Sequence, residues 1–340
     1  MVYKVHKSIF RRNISSLIVA AILLFLIFFY FGIDKILDQI SKVPDWTIAS
    51  VLLLYFLIYA LLILKWKFII DCVKKVNYFA LIPIYLAGGM FNQLTPGTTS
   101  GGQPYRAYHL RKLNHQDLAT NLSTTIFDFC IVGIVQGLLL VASLFYIDIL
   151  PTYMMVIIAI VAAIIITLTI VVSIIILRLS HKNRMMLHML SFFYHFKIIK
   201  KKFRSFQRFK KTILHEIRMF MKEMSFFFHN KTLIIKTVIL EIIIKVLFIS
   251  QLYIIFFALG IKVPIIGLVI VYSISEITNF IMFTPGGIGI VEAFMIGIFT
   301  SFGIPFAAAA AVTTINRFFL YIYEFLFGYV SYVYLKNKEY

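Results

Sequence analysis

The stretch Thr284-Pro285-Gly286-Gly287-Ile288-Gly289-Ile290-Val291-Glu292 interrupts an otherwise apolar part of the sequence with one proline and three glycines. Proline lacks a backbone donor and glycine leaves backbone polar groups uncovered, while hydrocarbon contains no water to bond them. Irregular backbone at membrane depth is therefore stable only where it is buried in protein or lines a wet cavity. We predict that this stretch separates two helical arms of a hairpin and marks a candidate transport site.

The triplet Thr-Pro-Gly occurs a second time, at Thr95-Pro96-Gly97. Asn92 precedes this copy as Asn279 precedes the other, and the pair Gly101-Gly102 follows it. Two similar breaks in one membrane protein indicate an internal repeat, an arrangement that recurs in transporters.

Composition indicates a polytopic membrane protein. Hydrophobic residues make up 61% of the 340 residues, against about 45–50% apolar residues in soluble domains. The chain carries 33 Lys and Arg against 14 Asp and Glu, which gives a formal net charge of +19. Membrane proteins place an excess of basic residues on the cytoplasmic face, beside anionic lipid. The charge argues against nucleic-acid binding and predicts a cytoplasmic-membrane protein with both termini in the cytoplasm.

The sequence carries no motif of enzyme chemistry. It lacks Gly-x-Ser-x-Gly, His-Glu-x-x-His, a phosphate-binding loop and Cys-x-x-Cys. Cys72 and Cys130 are far apart and neither has metal-ligand spacing. We therefore predict no catalytic residue, metal site, disulfide or cofactor, and a transporter in place of an enzyme.

The apolar runs predict an all-α polytopic membrane protein with about six transmembrane helices and two re-entrant, broken-helix hairpins. The predicted transmembrane helices are Ile14–Gly32, Trp46–Leu64, Asn121–Ile147, Thr152–Leu177, Thr232–Leu259 and Phe306–Leu335. Tyr78–Leu94 begins the first hairpin. If it crossed the membrane, Arg106, Arg111 and Lys112 would face outwards, whereas a hairpin keeps them in the cytoplasm. The second hairpin comprises Pro264–Phe283 and Ile288–Phe302, and is long enough either to turn back or to cross.

The whole chain, 1–340, is predicted to be one domain made of two repeats that run in opposite directions. The first covers about 14–147 and the second about 152–335. Asp128 follows Pro96 by the same number of residues as Arg317 follows Pro285. Under a two-fold axis in the membrane plane, these two opposite charges would lie at equivalent depths.

A basic insertion occupies residues 178–231. Its apolar residues Phe206, Ile213, Ile217 and Phe220 recur at intervals that favour one helix face. We predict an amphipathic helix on the inner leaflet, with a solvated cytoplasmic loop as the alternative.

Asp128 and Arg317 lie inside predicted helices, where a lone charge costs a few kcal/mol, so each is expected to face the protein interior. Two interpretations remain open: a salt bridge that locks the halves together, or a gate or head-group ligand that exchanges partners. Glu292 either caps the amides of a helix start or contacts substrate. Glu241 and Lys245 lie four residues apart and can neutralise each other.

Helix starts that follow the breaks offer unpaired N–H groups and a positive dipole end, which suit a phosphate. Arg106 is placed to assist from the cytoplasmic mouth, or else serves only as a topology anchor. Neutral polar residues near the breaks either satisfy local backbone or contact substrate. The predicted substrate-binding or gating residues are Asn92, Thr95, Pro96, Gly97, Arg106, Asp128, Asn279, Thr284, Pro285, Gly286, Gly287, Gly289, Glu292 and Arg317.

Two groups of residues carry a family resemblance. The first is Asn92-x-x-Thr-Pro-Gly with Arg106 and Asp128, and the second is Phe283-Thr-Pro-Gly-Gly-Ile-Gly-Ile-Val-Glu292-Ala with Asn316-Arg317. Together they resemble the transmembrane, flippase-like domain of lysylphosphatidylglycerol synthases. The resemblance covers nearly the whole chain, and Pro-Gly-Gly-x-Gly-x-x-Glu is its specific part. In bifunctional members this domain precedes an aminoacyl-transferase domain and is implicated in moving aminoacylated lipid to the outer leaflet. The sequence stops at Tyr340, so the resemblance implies a stand-alone lipid translocase.

The expected function is translocation of a phosphate-bearing lipid between leaflets of the cytoplasmic membrane. The lipid is a phospholipid, an aminoacyl-phospholipid or a lipid-linked glycan carrier. The alternatives are a scaffold for a lipid-modifying enzyme and a membrane-embedded lipid transferase. Expected partners are anionic membrane lipids and a lipid-modifying enzyme, with the oligomeric state left open. If transport is uphill, Asp128, Glu241 and Glu292 are the candidate proton sites.

Overall fold

The computed structural model describes residues 38, 40–95, 101–144, 160, 163, 167, 205–281 and 284–338, without the side chains of 277, 279–281 and 285. Every element of regular structure in these ranges is helical, which confirms an all-α membrane protein. The predicted helices Ile14–Gly32 and Thr152–Leu177 fall outside the described segments, apart from isolated positions, as do Pro96 and Gly97.

Ten α-helices are described. They are α1 Asp45–Asp71, α2 Tyr78–Leu94, α3 Gly102–Asn114, α4 Leu118–Leu144, α5 Phe206–His229, α6 Lys231–Ala258, α7 Ile265–Ile281, α8 Ile290–Ser301, α9 Phe306–Tyr321 and α10 Gly328–Asn337. A short 3₁₀ turn, Pro285–Gly287, lies between α7 and α8, and a π-helical turn, Ile322–Phe327, joins α9 to α10.

Three described helices are long and apolar enough to cross a membrane: Asp45–Asp71, Leu118–Ala142 and the continuous run Phe306–Asn337. They coincide with three of the predicted transmembrane helices. Helix α6 agrees in extent with the predicted helix Thr232–Leu259. Ile265–Glu276 and Ile290–Ser301 are shorter apolar helices.

Helices α2 and α3 form an antiparallel pair, as the prediction of a hairpin requires. The Gly102 N–H donates to Asn92 Oδ1 at 2.8 Å, and the Phe91 and Tyr105 rings stack with centroids 4.4 Å apart. With 17 and 13 residues, each arm is shorter than the about 20 residues that a helix needs to cross a bilayer. The close contact between the arms depends on Gly102, which has no side chain to separate them.

The second break is shaped by glycine. Gly286, Gly287 and Gly289 have φ values of 63°, 65° and 84°, in the left-handed region that other residues occupy only at a cost. The Gly287 N–H bonds the Thr284 carbonyl at 3.1 Å. This tight turn reverses the chain before α8 begins at Ile290.

Helix α5, Phe206–His229, lies within the predicted basic insertion 178–231, of which the structure describes only the part from residue 205 onward. Its residues Met221, Met224 and Phe227 are buried against Phe127 of α4 and Ile69 of α1. Ile217 and Phe220, two residues of the predicted apolar face, also pack against this cluster. The second half of α5 is therefore docked on the bundle by its apolar face, and contact with the inner leaflet stays a prediction.

We predict that Gly102→Ala destabilises the first hairpin. A Cβ atom at this position would overlap the Gly88 carbonyl and the Asn92 side chain, and overpacking costs about 1–3 kcal/mol. The melting temperature of the detergent-solubilised protein should fall. Gly297→Ala in α8 is the control, because a Cβ there meets no atom within 4 Å and alanine favours helix. Equal melting temperatures would contradict the close contact.

Candidate functional site

A cavity of about 230 Å³ lies between the two broken-helix regions. Side chains or backbone of α1–α4, α6–α9 and the π-helical turn line it, so both predicted hairpins contribute. Its polar wall is unusually rich in charge for membrane depth. The charged lining residues are Arg106, Asp128, Glu241, Lys245, Glu276, Arg317 and Glu324.

Several charged residues of the cavity wall belong to a chain of alternating charges, and Lys65 lies inside this chain behind the wall. This ammonium group is fully buried on α1 between two carboxylates. Its Nζ lies 2.6 Å from Glu241 Oε2 on α6 and 2.9 Å from Asp128 Oδ1 on α4. The contact with Asp128 Oδ1 is an ion pair without hydrogen-bond geometry. Lys65 therefore ties three helices together.

The chain of charges extends on both sides of this group. Asp128 Oδ2 accepts from Arg106 Nη2 at 3.2 Å. On the other side Glu241 Oε1 lies 3.4 Å from Lys245 Nζ, and Lys245 reaches Glu276 Oε2 at 3.2 Å. The Glu241 and Lys245 contact confirms the predicted pair on one helix face. Counted as ions, the three cations and three acids of this chain sum to zero.

Arg106 is held by two aromatic rings. Its guanidinium lies 4.1 Å from the Trp66 ring centroid and 4.2 Å from that of Tyr85. It is buried and lines the cavity, so the interpretation as a topology anchor is wrong for this residue, whereas Arg111 and Lys112 are exposed. Arg106 Nε has no hydrogen-bond partner among the described residues. The guanidinium therefore retains donor capacity beside the cavity.

Arg317 is held differently, by short bonds on several sides. Its Nε donates to Glu292 Oε1 at 2.8 Å, and its Nη2 donates to the Gly286 carbonyl at 2.7 Å and to the Tyr321 hydroxyl at 2.9 Å. Glu292 Oε2 accepts from the Gly289 N–H at 2.7 Å, which confirms the predicted helix cap. These bonds fasten the glycine turn to α8 and α9.

Asp128 and Arg317 do not pair with one another. Asp128 is neutralised by Lys65 and Arg106, and Arg317 by Glu292. Of the two interpretations left open, a salt bridge between Asp128 and Arg317 is therefore wrong, because each residue pairs with opposite charges on other helices. Both residues do line the same cavity, as their expected interior location requires.

Among the uncharged residues near the breaks, Asn92 and Thr95 bond local backbone. Asn92 Oδ1 accepts from Gly102, and the Thr95 hydroxyl donates to the Phe91 carbonyl at 2.8 Å. The Thr284 hydroxyl is buried and has no hydrogen-bond partner in the described part of the chain. The side chains of Asn279 and Pro285 are not described, so their predicted roles stay predictions.

The two broken-helix regions meet at Gln93 and Gly286. A Cβ on Gly286 would overlap Gln93 Oε1, so the α2 side chain lies directly against the glycine turn. Gln93 is one of the neutral polar residues near the first break, whose role the sequence analysis left open between local backbone and substrate contact. An amide at the end of an apolar helix carries no sequence signal that separates it from a local cap.

Sequence analysis missed Lys65, Glu276 and Glu324. The predicted helix Trp46–Leu64 ended just before Lys65, but α1 continues to Asp71 and buries this lysine. Glu324 is an acid inside the last apolar run, a signal that points to a functional position. The Tyr59 hydroxyl donates to its Oε1 at 3.1 Å.

Within the described ranges, no group of three or more His, Cys, Asp and Glu is arranged to hold a metal ion.

Comparison with known proteins identifies similar sequences. The model of the lysylphosphatidylglycerol synthase TM region matches residues 13–328. A UPF0104 membrane protein of Methanocaldococcus jannaschii is 27% identical, over 99% of this chain and 98% of that relative. Others from Methanothermobacter thermautotrophicus and Pyrococcus horikoshii are 24% and 22% identical, each over 95% of this chain and over 93% and 96% of the relative. No solved structure matches the chain.

Lys65→Met should strongly destabilise the protein. It leaves Asp128 and Glu241 without their shared cation, and breaking a buried ion pair costs about 3–5 kcal/mol. Lys67→Met is the matched control on the same helix, because Lys67 and its partner Asp71 are partly exposed and such a pair contributes about 1 kcal/mol or less. Thermal unfolding in detergent measures both. Similar losses in the two variants would contradict a bridging role for Lys65.

Proposed function

We propose that this chain, which belongs to the lysylphosphatidylglycerol synthase transmembrane-region family, translocates a phosphate-bearing lipid between the leaflets of the cytoplasmic membrane. The observation that carries the proposal is Arg106, a buried arginine that faces a cavity between two broken-helix regions and retains an unused donor. Such a group is suited to bind a phosphate oxygen.

The hydrogen-bond lengths distinguish Arg106 from Arg317 as the anion ligand. Charge-assisted N–H to carboxylate bonds are commonly about 2.7–2.9 Å long, and the Arg106 to Asp128 bond, at 3.2 Å, is longer. Asp128 also contacts Lys65, which continues to compensate its charge when Arg106 turns to another anion. Arg317, by contrast, has short bonds to three acceptors. Arg106 is therefore the exchangeable group and Arg317 the fixed one.

The size of the cavity supports transport of the head group alone. The cavity volume of about 230 Å³ corresponds to several water molecules at roughly 30 Å³ each, which is room for a small polar group. In the proposed path the phosphate group passes through the cavity while the chains remain in the bilayer. This division avoids moving a charged group through hydrocarbon.

We further propose the fine architecture of two inverted repeats, 14–147 and 152–335, that rock about the cavity. One correspondence supports it. In the first half, Arg106 on the second hairpin arm pairs with Asp128 on the following helix. In the second half, Glu292 on the second hairpin arm pairs with Arg317 on the following helix. The connection is the same and the signs are reversed. Such repeats move by rigid-body rocking in many transporters.

Lipid exchange in proteoliposomes tests the function. Wild-type protein should accelerate leaflet exchange of short-chain fluorescent phosphatidylglycerol, lysyl-phosphatidylglycerol or both. Arg106→Gln should slow it by about tenfold or more, because a hydrogen bond to a charged group contributes about 1.5–3 kcal/mol. Arg111→Gln is the matched control, an exposed arginine on the same helix, and should exchange lipid like wild type.

Two results would contradict the proposal. One is equal exchange by wild-type and Arg106→Gln protein. The other is no exchange of either lipid by wild type, which would favour a scaffold for a lipid-modifying enzyme. Mass analysis of the recovered lipids excludes or reveals a transferase, because a transferase changes the mass of its substrate and a translocase does not.

A further inference from the structure

Among the described acids at the cavity and the glycine turn, Glu324 differs from the others in having no cationic partner. Asp128, Glu241, Glu276 and Glu292 each contact a Lys or Arg side chain. No Lys, Arg or His of the described residues forms an ion pair with Glu324. Its oxygen Oε2 is buried and makes no hydrogen bond of ordinary geometry with a described residue. A buried carboxylate without a cation is costly when it is charged.

The backbone at Glu324 is also unusual. The residue lies in the π-helical turn Ile322–Phe327, inside the last membrane-spanning helix. Such turns are rare and occur frequently at functional sites, because they rotate a side chain away from the direction that a regular helix would give it. Gly89 of α2 lies against the Glu324 carboxylate, where a Cβ would be 3.7 Å from Oε1. The carboxylate therefore lies beside α2, and both Gly89 and Glu324 line the cavity.

The groups that face Glu324 come from every helix around it. From α1, the Tyr59 hydroxyl donates to Oε1 at 3.1 Å, and from α2 the Gln93 side chain interacts with the carboxylate. Arg317 on α9 attracts the Glu324 carboxylate electrostatically. The Arg317 guanidinium is nevertheless held at Glu292 by a short hydrogen bond. The remaining lining groups that can carry charge or titrate are Tyr55, Tyr85, Tyr272, Glu276, Arg106, Asp128, Glu241 and Lys245. The two cations among them form ion pairs with other acids: Arg106 with Asp128, and Lys245 with Glu241 and Glu276.

We propose that Glu324 is the proton-binding group of this transporter, taking up one proton when an anionic lipid head group occupies the cavity. The inference rests on the proposed lipid translocation. The proton adds to the unpartnered Oε2, so that a carboxylate becomes a neutral carboxylic acid, and no bond to the lipid forms or breaks. It enters from water on the side where the head group enters, and leaves to water on the other side.

Charge balance is the reason for this coupling. The chain from Arg106 to Glu276 is neutral, and Arg317 with Glu292 is neutral, so an unprotonated Glu324 leaves the ionised site with one net negative charge. A phosphate head group would add a second. Protonation of Glu324 removes the first, and linkage requires that anion binding and proton binding then favour each other. A bound sodium ion fits less well, because hard cations require several oxygen ligands.

Binding measurements test the coupling. Short-chain fluorescent phosphatidylglycerol is titrated into detergent-solubilised wild-type protein from alkaline to acidic pH. Its affinity should rise as the pH falls, by at most about tenfold per pH unit for one linked proton. Glu324→Gln, which is permanently neutral, should bind with an affinity near that of wild type at acidic pH and independent of pH. Glu223→Gln on α5, outside the cavity, should keep the wild-type pH dependence.

Three outcomes overturn the proposal: a pH-independent affinity in wild type, an unchanged pH dependence in Glu324→Gln, or a dependence on sodium in place of protons. A transport measurement adds a second check. An imposed pH gradient should drive unequal leaflet distribution of the lipid in wild-type proteoliposomes. Glu324→Gln should still equilibrate the lipid but should not accumulate it in one leaflet.

Infrared difference spectra separate failure of this inference from failure of the proposed function. Between alkaline and acidic pH, unliganded wild-type protein should gain the carbonyl band of a carboxylic acid, and Glu324→Gln should lack that band. If wild type neither binds nor moves the lipid but shows the band, the proposed function fails and the proton site stands. If the band is absent or unaffected by Glu324→Gln, the proton site is refuted whatever the lipid result.

Discussion

The described bundle depends on one buried ammonium group. Lys65 is inaccessible to solvent and lies between Asp128 and Glu241, so α1, α4 and α6 must all be in place for Lys65 to contact both of its carboxylates. A charge at membrane depth without a partner costs several kcal/mol. The three helices therefore assemble as a unit. The cavity exists where this unit faces the second broken-helix region.

Around this core the two arginines have separate roles for a physical reason. Arg317 has short bonds to the Glu292 carboxylate, the Gly286 carbonyl and the Tyr321 hydroxyl. Moving it would leave several buried acceptors unsatisfied. Arg106 lies between Trp66 and Tyr85 and has one long bond to a carboxylate that also contacts Lys65. It therefore has the smaller cost of changing partners. The proposed transport function uses both kinds of group, one that holds the turn and one that exchanges partners.

Sequence patterns predicted much of the fold and part of the site. Three long apolar helices, the antiparallel arms α2 and α3, the glycine turn and the cap formed by Glu292 agree with expectation. Of the two interpretations of Asp128 and Arg317, the direct salt bridge is contradicted by the structure. The equal spacing from the two prolines placed Asp128 and Arg317 at equivalent positions of the two repeats. Equivalent positions in a repeat need not be in contact, and each of the two residues is neutralised by a closer opposite charge. The role of Lys65 was missed because a lysine near the end of an apolar run has the same pattern whether it anchors a helix or is buried.

The sequence by itself determined that this protein is a membrane-embedded helical bundle with glycine-rich breaks, because hydrophobic run length and the backbone chemistry of proline and glycine are local properties. It also identified intramembrane charges, since a charge in an apolar run must face the protein interior. Only the tertiary structure decided which charges compensate one another and which acid at the cavity, Glu324, has no cationic partner in the described part of the chain. That outcome depends on distances between side chains on different helices, and no pattern along the chain encodes those distances directly.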